Sequence, residues 1–441
     1  MNEEKTAGAE TSSVSALAKR ALAASRELPA LSGAARRKAL SAVADALEAD
    51  VRTILDENAA DVEAAVSRGR PASAVSVLDV DEARLLRLVR NVRTVADFSD
   101  PVGERVSRWV RPNGLEIERV RVPVGVVGVC AEGRPVSFGF IAAACIKAGD
   151  AMVFASDGEA PRTLRALQAA FARGLESAGA PPDAVLLFDA GGRHLAACRE
   201  LVSLDRVVDV AVLRGSPAFV RDLAEHASIP VLRHPAGPCH VYVDRDRQGG
   251  GDVPRVHAND MPRALRIVAD SRLFCPHACT SASVALVHAD AAPRFLPLLA
   301  DEAARRGLAL VADERAAKFL PGSEKADPAD FSLGPEGTAL AVGVVDSLQE
   351  AVDRINANGA RLCDAIATES PDAARAFQRG VDSAIVFVNA STTFADGEQF
   401  GMGALVGIST GKVGPRGEIG IEGLTSLKYL VHGTGQTRGR P

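Results

Sequence analysis

Residues Val124-Gly125-Val126-Val127-Gly128-Val129-Cys130 carry only small and apolar side chains. A strand without a polar face must be covered on both sides, which is the condition of a strand inside a parallel sheet. Each parallel strand also needs a crossover, usually a helix, before the next one. The chain supplies them in turn. A helix over Phe138–Lys147 ends at Gly149 and a strand follows at Ala151–Ala155. Next come a helix at Thr163–Ser177, a strand at Ala184–Phe188, a helix near Leu195–Leu201 and a strand at Val208–Leu213. This alternation predicts a doubly wound α/β domain.

The flanks read differently. Ser32 is placed to N-cap a long amphipathic helix whose Leu40, Val43, Leu47, Val51 and Ile54 recur at three- and four-residue steps. Leu115–Val122 alternates apolar and charged after the turn residues Pro112-Asn113-Gly114, so Val106–Val122 is expected to be a hairpin. Residues 1–12 read as a frayed tail, and the polar, glycine-rich run 246–254 as a linker. Beyond it the alternation resumes, with helices at Pro262–Arg272, Ala292–Arg306 and Leu348–Asn358. Strands are expected at Ser283–Val287, Leu308–Val311, Asp364–Thr368 and Ser383–Val388, which makes a second α/β domain.

Composition removes several function classes. With 47% hydrophobic and 24% charged residues the chain is not disordered, and a net charge of −5 leaves no basic excess for a nucleic-acid partner. The longest apolar stretch, Val136–Ile146, is too short to cross a bilayer, so no membrane association is expected. The polar, acidic start has no signal-peptide pattern, and seven scattered cysteines without CxxC pairs fit a reducing compartment; the expected location is cytoplasmic.

Chemistry concentrates at a few places. Cys275-Pro276-His277-Ala278-Cys279 admits three readings: an exposed thiolate nucleophile, a metal site using Cys275, His277 and Cys279, or two ordinary structural cysteines. Arg214-Gly215-Ser216 lies between a strand and a helix, where backbone N–H groups favour a phosphate, although no GxGxxG fingerprint occurs and a plain turn explains it equally. Phe400–Gly403 and Gly411–Gly417 are glycine-rich, partly cationic loops.

At these residues the sequence resembles a known family. Val388-Asn389-Ala390-Ser391-Thr392, Phe394, Asp396-Gly397, Gln399-Phe400-Gly401, Gly403-Ala404, Ser409-Thr410, Lys412 and Arg416-Gly417 are similar to the C-terminal signature of gamma-glutamyl phosphate reductases. These are also called glutamate-5-semialdehyde dehydrogenases and belong to the aldehyde dehydrogenase superfamily. The likeness runs from about Leu40 to about Tyr429 and includes Asp100–Gly103, Arg121–Val126, Glu132 with Arg134-Pro135, and Cys239–Asp244.

The resemblance implies a cofactor-binding domain over 13–105 and 123–247, a catalytic domain over 255–421, and a small oligomerisation flap over 106–122 and 422–441. It implies reduction of an acyl phosphate, L-glutamyl 5-phosphate, to the aldehyde through a thioester on Cys279, with NADP or NAD as cofactor. Cys279 and Asn389 would be catalytic, each giving an oxyanion donor. Glu132, Arg134, His240, Lys412 and Arg416 would hold substrate. Ser156, Asp157, Glu159, Arg214, Gly215, Ser216 and Phe400 would hold the cofactor. No metal is implied; a homo-oligomer and a glutamate kinase-like partner enzyme are.

The chain also departs from the family. Val136 stands for an asparagine, Cys275 for an arginine and Leu405 for an acid. The family's Arg-Gly-Gly-Lys-Glu becomes Ala155–Glu159, losing two cations and gaining Asp157 beside the expected cofactor ribose. An acid there repels a 2′-phosphate and accepts from a 2′-hydroxyl, so the loop shifts the expectation toward NAD. Three readings stay open: the proline-biosynthesis reductase, a diverged paralogue reducing another acyl phosphate or thioester, and a non-catalytic binding protein.

Overall fold

The computed structural model describes residues 13–189, 193–233, 236–245, 261–276, 278–335, 337–402 and 406–438. It divides into two units: Met1–Arg233 with Gly401–Gly407 and Ile419–Pro441, and His234–Phe400 with Ile408–Glu418. The tail 1–12, the expected linker, His277 and Leu405 lie outside the described residues.

The first unit opens with α1 (Val14–Glu27), α2 (Gly33–Ala49), α3 (Val51–Ser67), α4 (Ala72–Leu78) and α5 (Glu82–Asp97). Ser32 caps α2 as expected, its hydroxyl accepting from the Ala35 N–H at 3.2 Å. The single long helix expected from Ser32 is instead two. Asp50 leaves helical geometry (φ −96°, ψ 5°), and its carboxylate pairs with Arg173. The apolar steps run through the break because Leu47 and Ile54 are buried on either side of it.

β1 (Arg105–Val110) and β2 (Glu116–Pro123) form the expected hairpin. Then β3 (Val126–Ala131), α6 (Val136–Ala148), β4 (Ala151–Ser156), α7 (Pro161–Ser177) and β5 (Val185–Asp189) follow. α8 (His194–Ser203), β6 (Val210–Arg214), α9 (Pro217–His226) and β7 (Val231–Leu232) complete the alternation. Every residue of β3 and β4 is buried, as their lack of a polar face demands. The sheet is parallel in the order β5-β4-β3-β6-β7, so the winding reverses between β3 and β6. In such sheets ligands bind past the carboxyl ends of the strands at that reversal.

In the second unit β8 (Cys239–Val243) precedes α10 (Met261–Leu273), β9 (Ala282–His288), α11 (Ala292–Arg306), β10 (Leu310–Ala312) and β11 (Glu324–Lys325). β12 (Leu340–Val345), α12 (Leu348–Asn358), β13 (Cys363–Ala367), α13 (Pro371–Gly380) and β14 (Ile385–Val388) follow. These strands form a second parallel sheet, ordered β11-β10-β12-β9-β8-β13-β14. The expected boundary near 247 therefore falls earlier. β8 is fully buried between β9 and β13 and belongs to this sheet, not to the first. The chain then passes through β15 (Gly407–Ser409) and β16 (Gly417–Ile419) to β17 (Thr425–His432), which pairs antiparallel with β2. Among the described residues no helix is long and apolar enough to cross a membrane.

Asp150, at the start of β4, carries a stability cost. It is fully buried; its Oδ1 accepts from the Gly125 N–H at 2.7 Å, while its Oδ2 has no partner. Burial pushes its carboxyl well above the ordinary range, and the charge of Asp209 adds to this against the Gly125 bond. A raised acid binds its proton more tightly folded than unfolded, so the stability it gives is present at acid pH and lost as pH rises through the folded value. Asp150→Asn keeps the acceptor and removes the charge. It should raise the melting temperature at pH 7, with the difference shrinking toward pH 4. A variant less stable at both pH values in thermal unfolding would show that the charge is favourable.

Candidate active site

In the first unit the expected cofactor residues meet at the carboxyl ends of β3, β4 and β6. After β3 the backbone takes two left-handed residues in succession, Gly133 (φ 61°) and Arg134 (φ 53°), before Pro135 leads into α6. The second is strained for a non-glycine side chain. Glu132 reaches across to β6, where its Oε2 accepts from the Ser216 N–H at 2.7 Å. A Cβ at Gly215 would lie 2.5 Å from Glu132 Oε2 and 2.7 Å from the Phe219 ring, so a side chain there would push Glu132 off the Ser216 N–H. Ser216 N-caps α9 and Arg214 donates to the Val406 carbonyl at 3.1 Å. Glu132 is thus committed to the β6 turn, so the expected substrate role is not what holds it here.

After β4 the loop is tied to β3. Asp157 accepts from the Gly133 N–H at 2.7 Å and from the Glu159 N–H at 3.1 Å. The buried Ser156 hydroxyl accepts from the Gly158 N–H at 3.1 Å. Glu159 pairs with Arg68 at 3.2 Å and Arg70 at 3.5 Å, two arginines at and just beyond the end of α3 that the sequence did not connect with this loop. The glycine cradle, the capped helix start and the cations at one end of a reversing parallel sheet suit a dinucleotide.

The second unit gathers cysteines at the amino ends of its strands. Cys279 lies exposed in the turn before β9. Beneath it the buried Cys239 thiol donates to the Cys279 carbonyl at 3.3 Å, and the Cys363 thiol lies 3.6 Å from Cys239 and 3.7 Å from the Thr280 carbonyl. The neighbouring Cys239 thiol and burial push the Cys363 thiol well above its ordinary range, which keeps it protonated as a donor. Five of the seven cysteines are buried, and only Cys275 and Cys279 are exposed. A thiol-selective alkylating reagent should therefore label those two in the native protein and the other five only after unfolding. Native labelling of a third cysteine, read by peptide mass spectrometry, would contradict this placement.

Two cations stand at the same end of the sheet. Lys412 bonds Asp382 at 2.7 Å and Arg416 bonds it at 2.9 Å, just ahead of β14. Chiefly the Lys412 bond holds the Asp382 carboxyl below its ordinary range. With two cations on one carboxylate the trio keeps a net positive charge. β14 stands three strands from β9, about 14 Å at the usual strand spacing.

Three expected residues are elsewhere. His240 is 2% exposed, and its Nδ1 and backbone N–H both meet the Asp364 carboxylate, at 2.8 and 2.7 Å, while the Ser383 hydroxyl donates to the other oxygen. It fastens β8 to β13 inside the core, which removes it from the substrate set. Asn389 (φ 56°) uses its side-chain amide as a backbone mimic, accepting from the Thr368 N–H at 2.9 Å and donating to the Thr368 carbonyl at 2.8 Å. Thr368 is five residues along from Cys363, roughly 16 Å at the rise of a strand. Asn389 therefore stands at the opposite end of the sheet from Cys279 and is no oxyanion donor for it. Phe400 is partly exposed and tilts against Phe387 of β14 at 6.3 Å. Among the described residues no group of His, Cys, Asp and Glu is placed to hold a metal.

Two parallel-sheet units, one with a dinucleotide cradle and one with an exposed cysteine, define an aldehyde dehydrogenase-like oxidoreductase. The acetylating aldehyde dehydrogenase of Geobacillus thermoglucosidasius shares this fold, with a TM-score of 0.68 at 17% identity over 97% of this chain and 98% of that one. The gamma-glutamyl phosphate reductase of Thermotoga maritima superposes with a TM-score of 0.89 at 29% identity, covering 97% of this chain and all (100%) of that one. Gamma-glutamyl phosphate reductases of Moorella thermoacetica (37% identical over 419 residues, 95% of this chain and 97% of that one) and Methylorubrum populi (38% over 422 residues, 96% and 95%) extend the match. No protein-family model matches the chain. The chain belongs to the gamma-glutamyl phosphate reductase family.

Proposed function

We propose that the protein reduces L-glutamyl 5-phosphate to L-glutamate 5-semialdehyde, the proline-biosynthesis reaction of its family, with Cys279 as nucleophile. The observation that carries this reading is the exposed Cys279, held by its own carbonyl on a floor of two buried thiols. The Cys279 thiolate attacks the acyl carbon, the C–O bond to phosphate breaks, and a thioester with free phosphate results. A nicotinamide dinucleotide, when bound, supplies the hydride that reduces the thioester. The thiohemiacetal then collapses to the aldehyde and returns the thiolate. Each tetrahedral stage carries an oxyanion, and the Cys279 N–H is the proposed protein donor to it.

Lys412 and Arg416, sharing Asp382, are the proposed contacts for the substrate's anionic groups. Arg134 is a further proposed contact, held exposed by its left-handed backbone. Ser156, Asp157 and Glu159 with Arg214, Gly215 and Ser216 are proposed to form the cofactor end of the first unit.

The flap β1-β2-β17 is proposed to pair with a second copy. Its edge strand β17 exposes Tyr429 and Val431, and an unpaired apolar edge invites another strand. A glutamate kinase-like enzyme is the proposed source of the acyl phosphate.

The test is the reverse reaction: glutamate 5-semialdehyde and phosphate, with NADP or NAD, should yield reduced nicotinamide. Turnover of other aldehydes but not of this one would favour the diverged-paralogue reading, to which the replaced Val136 and Cys275 positions point.

A further inference from the structure

The acids after β4 look, in sequence, like a seat for the ribose 2′-hydroxyl of NAD. Their hydrogen bonds say otherwise. Asp157 spends one oxygen on the Gly133 N–H at 2.7 Å and the other on the Glu159 N–H at 3.1 Å, so its carboxylate is structural, joining the β3 and β4 loops. Glu159 faces two guanidinium groups, Arg68 at 3.2 Å and Arg70 at 3.5 Å.

Those arginines reach the loop from a separate part of the chain. Arg68 follows α3, and Gly69 (φ 71°) turns the backbone so that both side chains come to the same Glu159 oxygen. Both are about half exposed, at 51% and 46%, so an arriving anion meets them from solvent. Other nearby cations already have partners, Arg162 with Glu57 and Arg165 with Asp189. A single carboxylate leaves the two arginines with surplus positive charge. A phosphate offers more oxygens and more charge, and guanidinium forks match it in geometry.

We infer that Arg68 and Arg70 form the seat for the 2′-phosphate of NADP, with Glu159 standing in for that phosphate until the cofactor arrives. The two cations missing from the β4 loop are thus replaced from the end of α3, and the expectation of NAD is reversed. The inference rests on the reading that the first unit binds a nicotinamide dinucleotide.

Calorimetric titration of the full-length protein with adenosine 2′,5′-bisphosphate and with adenosine 5′-monophosphate isolates this subsite. The bisphosphate should bind about tenfold tighter or more, and Arg68→Ala or Arg70→Ala should each remove about five- to tenfold of that preference while leaving the monophosphate unchanged. Glu159→Gln should strengthen the bisphosphate, and Arg70→Lys should restore part of the loss in Arg70→Ala. A wild-type protein that prefers the monophosphate, or arginine variants that keep the preference, would overturn the inference. NADH binding without bisphosphate binding would sink this inference alone. Failure of both dinucleotides to bind would remove the cofactor reading itself, and the inference with it.

Discussion

Cys279→Ala is expected to lose at least about a thousandfold in turnover of glutamate 5-semialdehyde, because no thioester can form without the thiol. The loss should be chemical rather than structural. The floor beneath Cys279 holds its carbonyl, through the Cys239 thiol at 3.3 Å, and alanine keeps that carbonyl. Thermal unfolding and dinucleotide binding should therefore match the wild type. Cys275→Ala is the control, since Cys275 is the other exposed thiol and lies in the same turn region. It should retain most of the activity. Full activity in Cys279→Ala with loss in Cys275→Ala would move the nucleophile to Cys275.

The largest expected stability effect is at Asp100, which is not among the proposed site residues. Arg36 is 2% exposed on α2; its guanidinium donates to the Leu28 and Leu31 carbonyls at 3.1 and 2.6 Å and to both Asp100 oxygens at 2.8 and 2.6 Å. Asp100 also accepts from the Val102 N–H at 3.1 Å, so the pair ties the helical layer to the start of the flap. Asp100→Ala leaves a buried guanidinium without its counter-charge, a loss of about 3–5 kcal/mol. The unfolding transition of the first unit should fall by on the order of 10 °C. The double variant Arg36→Met with Asp100→Ala should recover part of this, because the stranded charge is then gone. A double variant worse than Asp100→Ala would show that the arginine's carbonyl bonds outweigh its charge.

Legibility in the sequence follows how local each feature is. β3, α6, β4 and α11 stand near their expected places because a run without a polar face, or a stripe at three- and four-residue steps, is written in adjacent residues. The stripe Leu85, Leu88, Val89, Val92 of α5 is of that kind too, whereas α1 buries mostly alanines and gives little contrast. Sheet membership is not local. Nothing within Cys239–Val243 says that its neighbours are β9 and β13, and the glycine-rich run after it misleads as a boundary.

The site divides in the same way. The residues around Cys279 leave its role open and the family resemblance singles it out, as it does the β3 and β4 loop residues; only Arg214-Gly215-Ser216 is marked by its place after an apolar strand. Asn389 belongs to the same sequence block as Lys412, yet β14 separates it from Asp382, the partner of Lys412, and so sets the two at opposite ends of the sheet. The ion pairs of Arg68, Arg70 and Asp382 leave no mark in the sequence, since each residue acquires its partner only when the chain has folded.

The most direct test of the thioester on Cys279 omits phosphate. Wild-type protein mixed with glutamate 5-semialdehyde and oxidised nicotinamide cofactor should release about one equivalent of reduced cofactor per chain and then stall. Peptide mass spectrometry should find the glutamyl acyl group on Cys279, absent in Cys279→Ala, and added phosphate should discharge it. No burst and no adduct on Cys279, in protein shown to bind the dinucleotide, would contradict catalysis by this residue.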